Sequence, residues 1–589
     1  MHVAQGAIGP ISSPVPPPST LGHAHTCLFV AGAKPVRCGT EPRPALLRIT
    51  SVTLAKRVPV RGIIAGLLSG TVGVCVGFLI SGLTGPVGSP VVAVAQLAID
   101  LSPPPVKNFA IREFGTHDKL VLQVGVIVVL AVFAAAIGVL AQRRETSGLI
   151  GVAIFGVVGL VAAGTRPTAT AADLLPTLAG SAAAAFVLVR LIRAAGPART
   201  ARSLGVQAAE PEQVQVTDGG SATERPTASL SVEEPPRRQF MALGAVAAGA
   251  AAVSYVGGRL LTERASVSQA VNSLRLPAPA RPAPPLPAGT DLGIPGLSRF
   301  ITTNPAFYRV DTAIVLPQIP PSSWHLRIHG MVRREVTLSF DQLLRRPLTE
   351  AYITLTCVSN PVGGPYIGNA RWLGASLGAL LREAGIRAGA DQLFCTSSDG
   401  FTSGTPVQTA MDGRDALLAI GMNGKPLPTA HGFPVRTVVP GLYGYVSACK
   451  WITDIEVTTY AANHAYWSDR GWSQQAPIKT ESRIDVPSGQ GPMKAGRTAI
   501  AGVAWAQHKG IDAVEVRVDG GPWRQAKLAA VPGIDTWRQW SIDWGAAPGT
   551  HRIESRATDA TGYTQTSLVQ PPEPNGATGY PMVTVTVTS

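Results

Sequence analysis

The chain is poor in charge. Only 15% of its 589 residues are Asp, Glu, Lys or Arg, while 46% are hydrophobic, and its mean hydropathy is +0.21. A wholly soluble chain carries more charge on its surface, so membrane spans are expected to dilute a soluble part. Cysteine is sparse as well. The six cysteines stand at 27, 38, 75, 357, 395 and 449 with no CxxC pair, which argues against zinc, iron–sulfur and disulfide-framework readings. Histidine is almost missing from the apolar half: between residues 56 and 260 the only one is His117. Bis-histidine haem needs imidazoles on facing helices, so no haem is expected there. The net charge of +14 would suit nucleic acid. Yet no zinc-finger spacing, aromatic RNA-binding signature or basic repeat accompanies it, and cations flanking membrane spans account for it.

What is present falls into blocks. Residues 1–55 are rich in Pro, Gly and Ser without periodicity and predict a disordered segment, in which His23 and His25 are too isolated for a metal site. Four apolar runs fill 56–194: Arg61 to Leu83, Leu120 to Ala141, Ser147 to Ala163 and Ala172 to Ile192. Each is near the ~20 residues a helix needs to cross a bilayer. Val91 to Leu101, between Pro90 and Pro103, is too short and predicts a re-entrant or surface segment. If the runs alternate, three clusters fall on one side: Lys56, Arg57 and Arg61; Arg143 and Arg144; Arg190, Arg193, Arg199 and Arg202. That side is then cytoplasmic, with the N-terminus inside.

A polar linker over 195–236 is predicted to be flexible. Arg237-Arg238-Gln239-Phe240-Met241 then opens an apolar, small-residue run to Gly258. This resembles a twin-arginine export signal placed internally; read more plainly, 237–262 is a fifth span flanked by cations. Both send the rest of the chain outward, and a retained anchor is expected. The stretch 263–297 contains PAPARPAPPLP at 277–287, expected to be a stiff spacer lifting the next domain off the membrane.

The chemistry gathers around Cys357. Thr354 to Thr356 read as a short strand ending on it. A Gly/Pro/Asn-rich loop follows, and Asn369 to Gly374 leads into an apolar helix from about Ser376 to Glu383. A cysteine at a strand exit presents its sulfur at a sheet edge, as a nucleophile, a metal ligand or a buried bystander. Downstream stand His431-Gly432-Phe433-Pro434-Val435-Arg436, then Val438-Val439-Pro440-Gly441, then Lys450-Trp451. Taken in order with Cys357 and Asn369-Ala370-Arg371-Trp372-Leu373-Gly374, they closely resemble the sulfite-oxidase-type molybdopterin oxidoreductases, from about Ser298 to the C-terminus.

That resemblance implies an α+β molybdopterin domain over 298–475. An immunoglobulin-like dimerisation domain would follow over 476–589, and a bundle of transmembrane helices would precede both. It implies molybdenum on one pyranopterin dithiolene, with Cys357 as its protein ligand. Asn304, Phe307 and Tyr308 would grip the pterin. Thr396 and Asp399 would lie beside the cofactor, and His431 and Arg436 on its phosphate and pterin. Lys450, with the backbone of Ala448 and Cys449, would close the phosphate end. The planar fork of arginine suits a phosphate. Independently, Ala499–Trp505, Ala513–Val518, Thr536–Ile542, Thr550–Ala557 and Val583–Thr588 alternate between turn signals and read as an all-β sandwich. Cys395 and Cys449 are expected to be small core residues.

The substrate side departs from that family. Val358 to Gly364 contains no arginine, and Val310 stands where an arginine would meet sulfite, with Arg309 adjacent. Phe401 stands where a tyrosine would be and has no hydroxyl. A small dianion needs such donors in a water-poor site. The expectation is therefore a membrane-anchored oxidoreductase that transfers an oxygen atom and two electrons outside the cytoplasmic membrane. Cys357, Phe401 and Arg309 would stand at the reacting end. The substrate need not be sulfite; partners are an external electron carrier, membrane lipid and a second copy of the chain. Rival readings are a sulfoxide or methionine-sulfoxide reductase, a non-catalytic molybdopterin-fold binding module, and a Cys357–His431 hydrolase, which lacks an orienting carboxylate or amide. Tyr366, Tyr443 and Arg371 are candidate pocket-lining residues.

Overall fold

The computed structural model describes residues 59–85, 88–103, 106, 118–166, 169–195, 237–264 and 266–589. The expectations for the N-terminal segment, for His23, His25 and His117, and for nearly all of the 195–236 linker fall outside these residues.

Six apolar helices open the described chain: α1 (Val60–Thr84), α2 (Pro90–Leu101), α3 (Asp118–Arg143), α4 (Glu145–Gly164), α5 (Leu175–Ala195) and α6 (Arg237–Arg264). All but α2 are long and apolar enough to cross a membrane. Helix α1 lies at the centre, against α3, α5 and α6. Its buried positions are small: Gly62, Ala65, Gly66, Ser69, Gly73 and Gly77. A Cβ on Gly66 would run into the Ala134 carbonyl of α3. The large residues of α3, among them Val124, Ile127, Val128, Val132 and Phe133, point outward. Small residues inside and large ones outside invert the soluble pattern, as expected where lipid is the solvent. Arg61 donates to the Ala195 carbonyl at 3.1 Å and Arg193 pairs with Glu145 at 2.9 Å. These contacts bring the start of α1, the end of α5 and the start of α4 to one end of the bundle.

The chain then docks directly on the soluble part. A short helix, α7 (Ser268–Ser273), follows, and Val267 at its start is buried in the core that holds Phe307 and Trp372. The Pro-rich stretch, expected as a stiff spacer, pairs with a strand edge of the soluble part. Arg281 bridges to Thr349; its N–H donates to the Leu348 carbonyl at 3.1 Å, and its carbonyl accepts from Glu350 at 2.8 Å. The physical reason is that an extended proline-rich chain still offers the groups of its non-proline residues to a neighbouring strand edge.

Two five-stranded sheets frame the site. β1 (His325–Gly330), β2 (Val336–Ser339), β5 (Gln392–Ser397), β6 (Thr402–Pro406) and β10 (Ile452–Thr458) form one, in the order β2-β1-β10-β5-β6 with only β1 and β10 parallel. β3 (Leu348–Thr356), β4 (Ile367–Ser376), β7 (Leu417–Met422), β8 (Lys425–Pro426) and β9 (Arg436–Val438) form the other, in the order β3-β4-β7-β8 with β9 on β7. Strand β4 corrects the expectation of a loop running into a helix. It pairs with β3 along its whole length, with Thr354 opposite Asn369. Asn369 is tolerated inside a buried strand because its side chain is satisfied: Nδ2 donates to the Phe300 carbonyl at 2.9 Å and Oδ1 accepts from Thr354 Oγ1 at 3.0 Å. The helix expected from about Ser376 to Glu383 runs over Leu377–Ala384, capped by Ser376.

The C-terminal part is a two-sheet sandwich. One sheet holds β11 (Glu481–Val486), β13 (Gly496–Trp505), β16 (Lys527–Leu528) and β17 (Arg538–Ala546). The other holds β12 (Met493–Lys494), β14 (Ile511–Val518), β15 (Arg524–Gln525), β18 (Gly549–Asp559) and β19 (Met582–Thr588). Ile500, Val514, Trp540, Ile553 and Val585 fill the space between. Between β14 and β15 the chain turns at Asp519-Gly520, with φ positive at both residues, +53° and +71°. This sandwich grips β3. Trp537 N donates to Thr354 Oγ1 at 2.8 Å, and Gln507 Nε2 donates to the Thr354 carbonyl and to Thr356 Oγ1, both at 3.1 Å. The three residues before Cys357 are thus fixed from the C-terminal side.

Candidate active site

Cys357 is the first residue past β3. Its N–H donates to the Tyr366 carbonyl at 3.0 Å and its carbonyl accepts from Asn360 N–H at 3.1 Å. Asn360 Oδ1 accepts from Tyr366 N–H at 2.8 Å, so the Asn/Pro/Gly loop folds back over the cysteine. The side chain is buried. Burial pushes the thiol pKa up, opposed by hydrogen bonds from Ser359 and by the Lys450 ammonium.

Arg436 opens β9 and is 5% exposed. Its guanidinium donates to the carbonyls of His431 (3.1 Å), Thr437 (3.3 Å) and Ala448 (3.4 Å) and lies 5.2 Å from the Trp372 ring centre. Every acceptor is neutral; among the described residues no carboxylate pairs with it. Burial lowers its pKa to about 10. A buried charge without a counter-charge costs several kcal/mol, on the order of 3–5. Gly432, at φ +106°, makes the approach feasible: a Cβ there would lie 3.0 Å from Arg436 Cβ and 3.1 Å from Lys450 Cβ.

His431 sits on the turn before it. Nε2 lies 3.1 Å from the Asn304 carbonyl, so Nε2 carries the proton and Nδ1 is left as an acceptor. Burial, then the charges of Arg436 and Lys450, lowers its pKa to about 4, so the ring is neutral near pH 7. Phe307 meets it edge-on at 5.6 Å and stacks on Tyr308 at 5.2 Å. Burial raises the Tyr308 phenol, with the Cys357 thiol adding to the rise and the Arg436 charge opposing it. Asn304 is braced: Oδ1 accepts from Asn423 Nδ2 at 2.8 Å and Nδ2 donates to the Met422 carbonyl at 3.2 Å. Lys450 Nζ donates to Asp311 at 2.8 Å and to the Ala430 carbonyl at 3.3 Å. Burial lowers its pKa to about 8, against the pull of Asp311. Arg309 Nε donates to the same Asp311 carboxylate at 2.8 Å.

The remaining expected residues divide differently. Thr396 lies on β5, and Asp399 and Phe401 on the β5–β6 turn, where Asp399 Oδ1 accepts from Phe401 N–H at 3.2 Å. The structure sets this hairpin against Tyr466, whose ring lies 5.8 Å from that of Phe401. The Ala448 and Cys449 backbone, expected at the phosphate end, is hydrogen-bonded within the chain. Ala448 N–H donates to the Gly444 carbonyl at 3.0 Å. Cys449 N–H donates to Thr437 Oγ1 at 2.8 Å, and its carbonyl accepts from Thr437 N–H at 2.9 Å. The Ala448 amide closes the short helical turn that begins at Gly444, and only Cys449 pairs against β9. Cys395 and Cys449 are buried free thiols. Of the candidate lining residues, Arg371 pairs with Glu350 at 3.2 Å and Tyr443 is buried against Lys479. Reading the sequence missed Asp311, Asn423 and Tyr466. The only signal for Asp311 is a carboxylate two residues after Arg309.

The donor set fits a molybdopterin. A soft sulfur at Cys357, a neutral imidazole at His431 and a buried guanidinium at Arg436 without a carboxylate partner suit such a group, and its phosphate would supply the missing counter-charge. The family profile described as an oxidoreductase molybdopterin binding domain matches residues 313–467. The chain is similar to mitochondrial sulfite oxidase of Mus musculus, 30% identical over 290 residues, which cover 41% of this chain and 53% of that protein. It is similar to sulfite oxidase of Gallus gallus, 30% identical over 322 residues, covering 46% of this chain and 70% of that protein. It is also similar to the uncharacterized oxidoreductase YuiH of Bacillus subtilis (strain 168), 31% identical over 152 residues, covering 26% and 73%. The matched region spans about half the length of the mouse protein.

Proposed function

The chain belongs to the sulfite-oxidase family of molybdopterin-dependent oxidoreductases, and from that premise we propose a membrane-anchored enzyme that transfers one oxygen atom and two electrons outside the cytoplasmic membrane. The observation that carries this reading is Arg436, buried at the start of β9 with only carbonyl acceptors. When bound, the molybdenum–molybdopterin supplies the two-electron redox chemistry. Cys357 would give the metal its protein sulfur, and Arg436 would hold the phosphate. His431 would accept from the pterin at Nδ1, with Asn304, Phe307 and Tyr308 bracing that side. Tyr308, its phenol raised by burial, stays protonated at physiological pH and keeps its hydroxyl as a hydrogen-bond donor.

The substrate side favours something other than sulfite. Phe401 brings an aromatic ring without a hydroxyl, and Val310 is exposed where a basic residue would be needed. Reduction of a sulfoxide, including methionine sulfoxide, is the second reading, and the lack of basic and hydroxyl donors at these two positions favours it. The cationic bundle end at Arg61 and Arg193 supports an inward-facing cytoplasmic side; α6, entering after the linker, then carries the catalytic part outward. Electrons would leave or arrive through an external carrier. The sandwich over 476–589 would be immunoglobulin-like and serve a homodimer.

The test is molybdenum analysis of the full chain, made in a cofactor-producing host, alongside Cys357→Ser. Stoichiometric metal in the wild type, with turnover abolished in a folded Cys357→Ser, is the expected result. A folded wild-type protein without molybdenum sinks the reading and leaves a non-catalytic binding module.

A further inference from the structure

The geometry points to a second binding site: the outer edge of β2, with the arginines beside it, takes an extended acidic segment of a partner protein. None of the residues that line it belongs to the candidate active site.

Strand β2 is the last of its sheet and pairs only with β1. A terminal strand keeps backbone donors and acceptors on its outer side, where a further extended chain can pair with them. Val336 and Leu338 turn into the core, and Thr337 between them is exposed. A cavity of about 490 Å³ opens along this edge, within the roughly 300–1,000 Å³ typical of ligand clefts. Thr337 lines it from β2, and Arg334 and Glu335 from the segment just before the strand. Arg345 and Arg346 reach it from the end of the short helix Phe340–Leu344, and Glu383 from the helix Leu377–Ala384. β2 lies three strand spacings from β5 in the same sheet, roughly 14 Å. A guest is therefore held at the flank of the sheet, away from the β5–β6 turn that carries Phe401.

Charge selects the guest. Glu383 already sits in the groove as a built-in carboxylate. Arg346 grips it with both arms of its fork, Nη1 at 2.5 Å and Nη2 at 3.4 Å, and Arg334 Nη2 reaches it at 3.3 Å. Arg346 holds this carboxyl below the ordinary carboxylate range. Glu335 is answered by Arg327 of the neighbouring strand at 2.9 Å. Arg345 is exposed, and among the described residues no carboxylate pairs with it. Both acidic side chains are thus matched within the chain, and positive charge is left over: all of Arg345, and the second of two forks on one carboxylate. The planar arginine fork suits a carboxylate. A compact polyphosphate fits less well, because Glu335 and Glu383 stand in the same groove and repel charge concentrated at one point. An extended chain spreads its carboxylates, with every second side chain on one face, and places its backbone on β2. An exposed ion pair is weak alone, so affinity rests on charge and strand pairing together.

The test uses the full-length protein in detergent and a fluorescein-labelled octapeptide of alternating Glu and Thr, read by fluorescence anisotropy. A Kd on the order of 100 μM at low salt is expected. Raising the salt from about 50 to about 500 mM NaCl should weaken binding roughly 10-fold. Arg345→Glu, at an exposed position, should weaken it about 10-fold as well. An octapeptide of the same charge with Pro-Pro at its centre lacks the donors for strand pairing and should bind about 10-fold more weakly than the alternating one. A wild-type protein that binds no peptide overturns the inference. So does equal binding by wild type and Arg345→Glu, or equal binding of the two peptides. Inorganic pyrophosphate or dihexanoyl phosphatidylglycerol that displaces the peptide at equal concentration overturns it too, because the groove then takes phosphate groups rather than an acidic chain.

Discussion

The sandwich and the cofactor cradle handle buried charge in opposite ways. In the sandwich, the Asp559 side chain is fully buried and completely partnered: Thr480 Oγ1 at 2.6 Å, Thr561 N–H at 3.0 Å and Oγ1 at 2.5 Å, and Lys509 at 3.3 Å. Burial raises that carboxyl, but the hydrogen bonds outweigh burial and hold its pKa to about 2. Glu554 is treated likewise, between Arg517 at 2.7 Å and Arg552 at 3.0 Å. In the cradle, Arg436 is as deeply buried and finds only carbonyls. Folding completes the electrostatics of one region and leaves those of the other for a ligand to complete.

Paired substitutions break this comparison most forcefully, because they should have opposite signs. Asp559→Asn strips a partnered buried charge from its hydrogen-bond donors and is expected to destabilise the protein by about 3 kcal/mol, with the cofactor content of the folded fraction intact. Arg436→Met removes an unpartnered buried charge. The cofactor-free protein should become more stable by roughly 1–3 kcal/mol, yet lose the pterin. Denaturant unfolding of the cofactor-free chains and pterin content of the loaded ones measure both. If Arg436→Met destabilises the empty protein as strongly as Asp559→Asn, the contrast is wrong.

Glu481 sharpens the comparison from the seam between the two regions. It is 3% exposed, and its Oε1 has no hydrogen-bond partner. Burial lifts its pKa to about 8, with Lys479 opposing. A carboxyl raised on folding binds its proton more tightly in the native state. Stability is therefore full below the ordinary carboxylate pKa and declines as pH rises toward about 8. Glu481→Gln should remove that decline, gaining on the order of 2 kcal/mol near pH 8 and little near pH 4.5. Melting temperatures of the two proteins from pH 5 to 8 should diverge; parallel curves would show that this carboxyl finds a partner in solution.

The legible part of the site was the part written in short sequence intervals. His431 and Arg436 fall within six residues, and Cys357 stands at the end of an obvious strand. Asp311 was not legible, because its second cation arrives from Lys450, 139 residues away; nearby in sequence it only resembles a surface partner of Arg309. Strand β4 was misread because Gly368, Asn369 and Gly374 weaken strand propensity. Each has a three-dimensional reason: a Cβ on Gly368 would strike the Phe307 ring, one on Gly374 the Leu418 carbonyl, and Asn369 is satisfied by Phe300 and Thr354. The membrane helices were the easiest elements, because their signal is length and apolarity alone. The docking of the Pro-rich stretch was the hardest, because backbone pairing to a strand edge leaves no mark on side-chain composition.

The smallest expected effect tests whether the membrane bundle stands apart from the site. At the end of α2, Asp100 Oδ1 accepts from Tyr466 Oη at 3.2 Å, with Arg470 at 3.8 Å. The Arg470 guanidinium lies 3.6 Å from the Tyr466 ring centre, and that ring adjoins Phe401. Asp100 is 39% exposed, so its contacts should be worth no more than about 1 kcal/mol. Asp100→Ala should therefore barely move the melting temperature. Tyr466 nevertheless connects Asp100 to Phe401, and a ring loosened on one side reorients on the other. A two- to threefold rise in KM, on the order of 0.5 kcal/mol, with kcat little altered, is the expected signature. An unchanged KM would mean that the bundle anchors the catalytic part without shaping its rim.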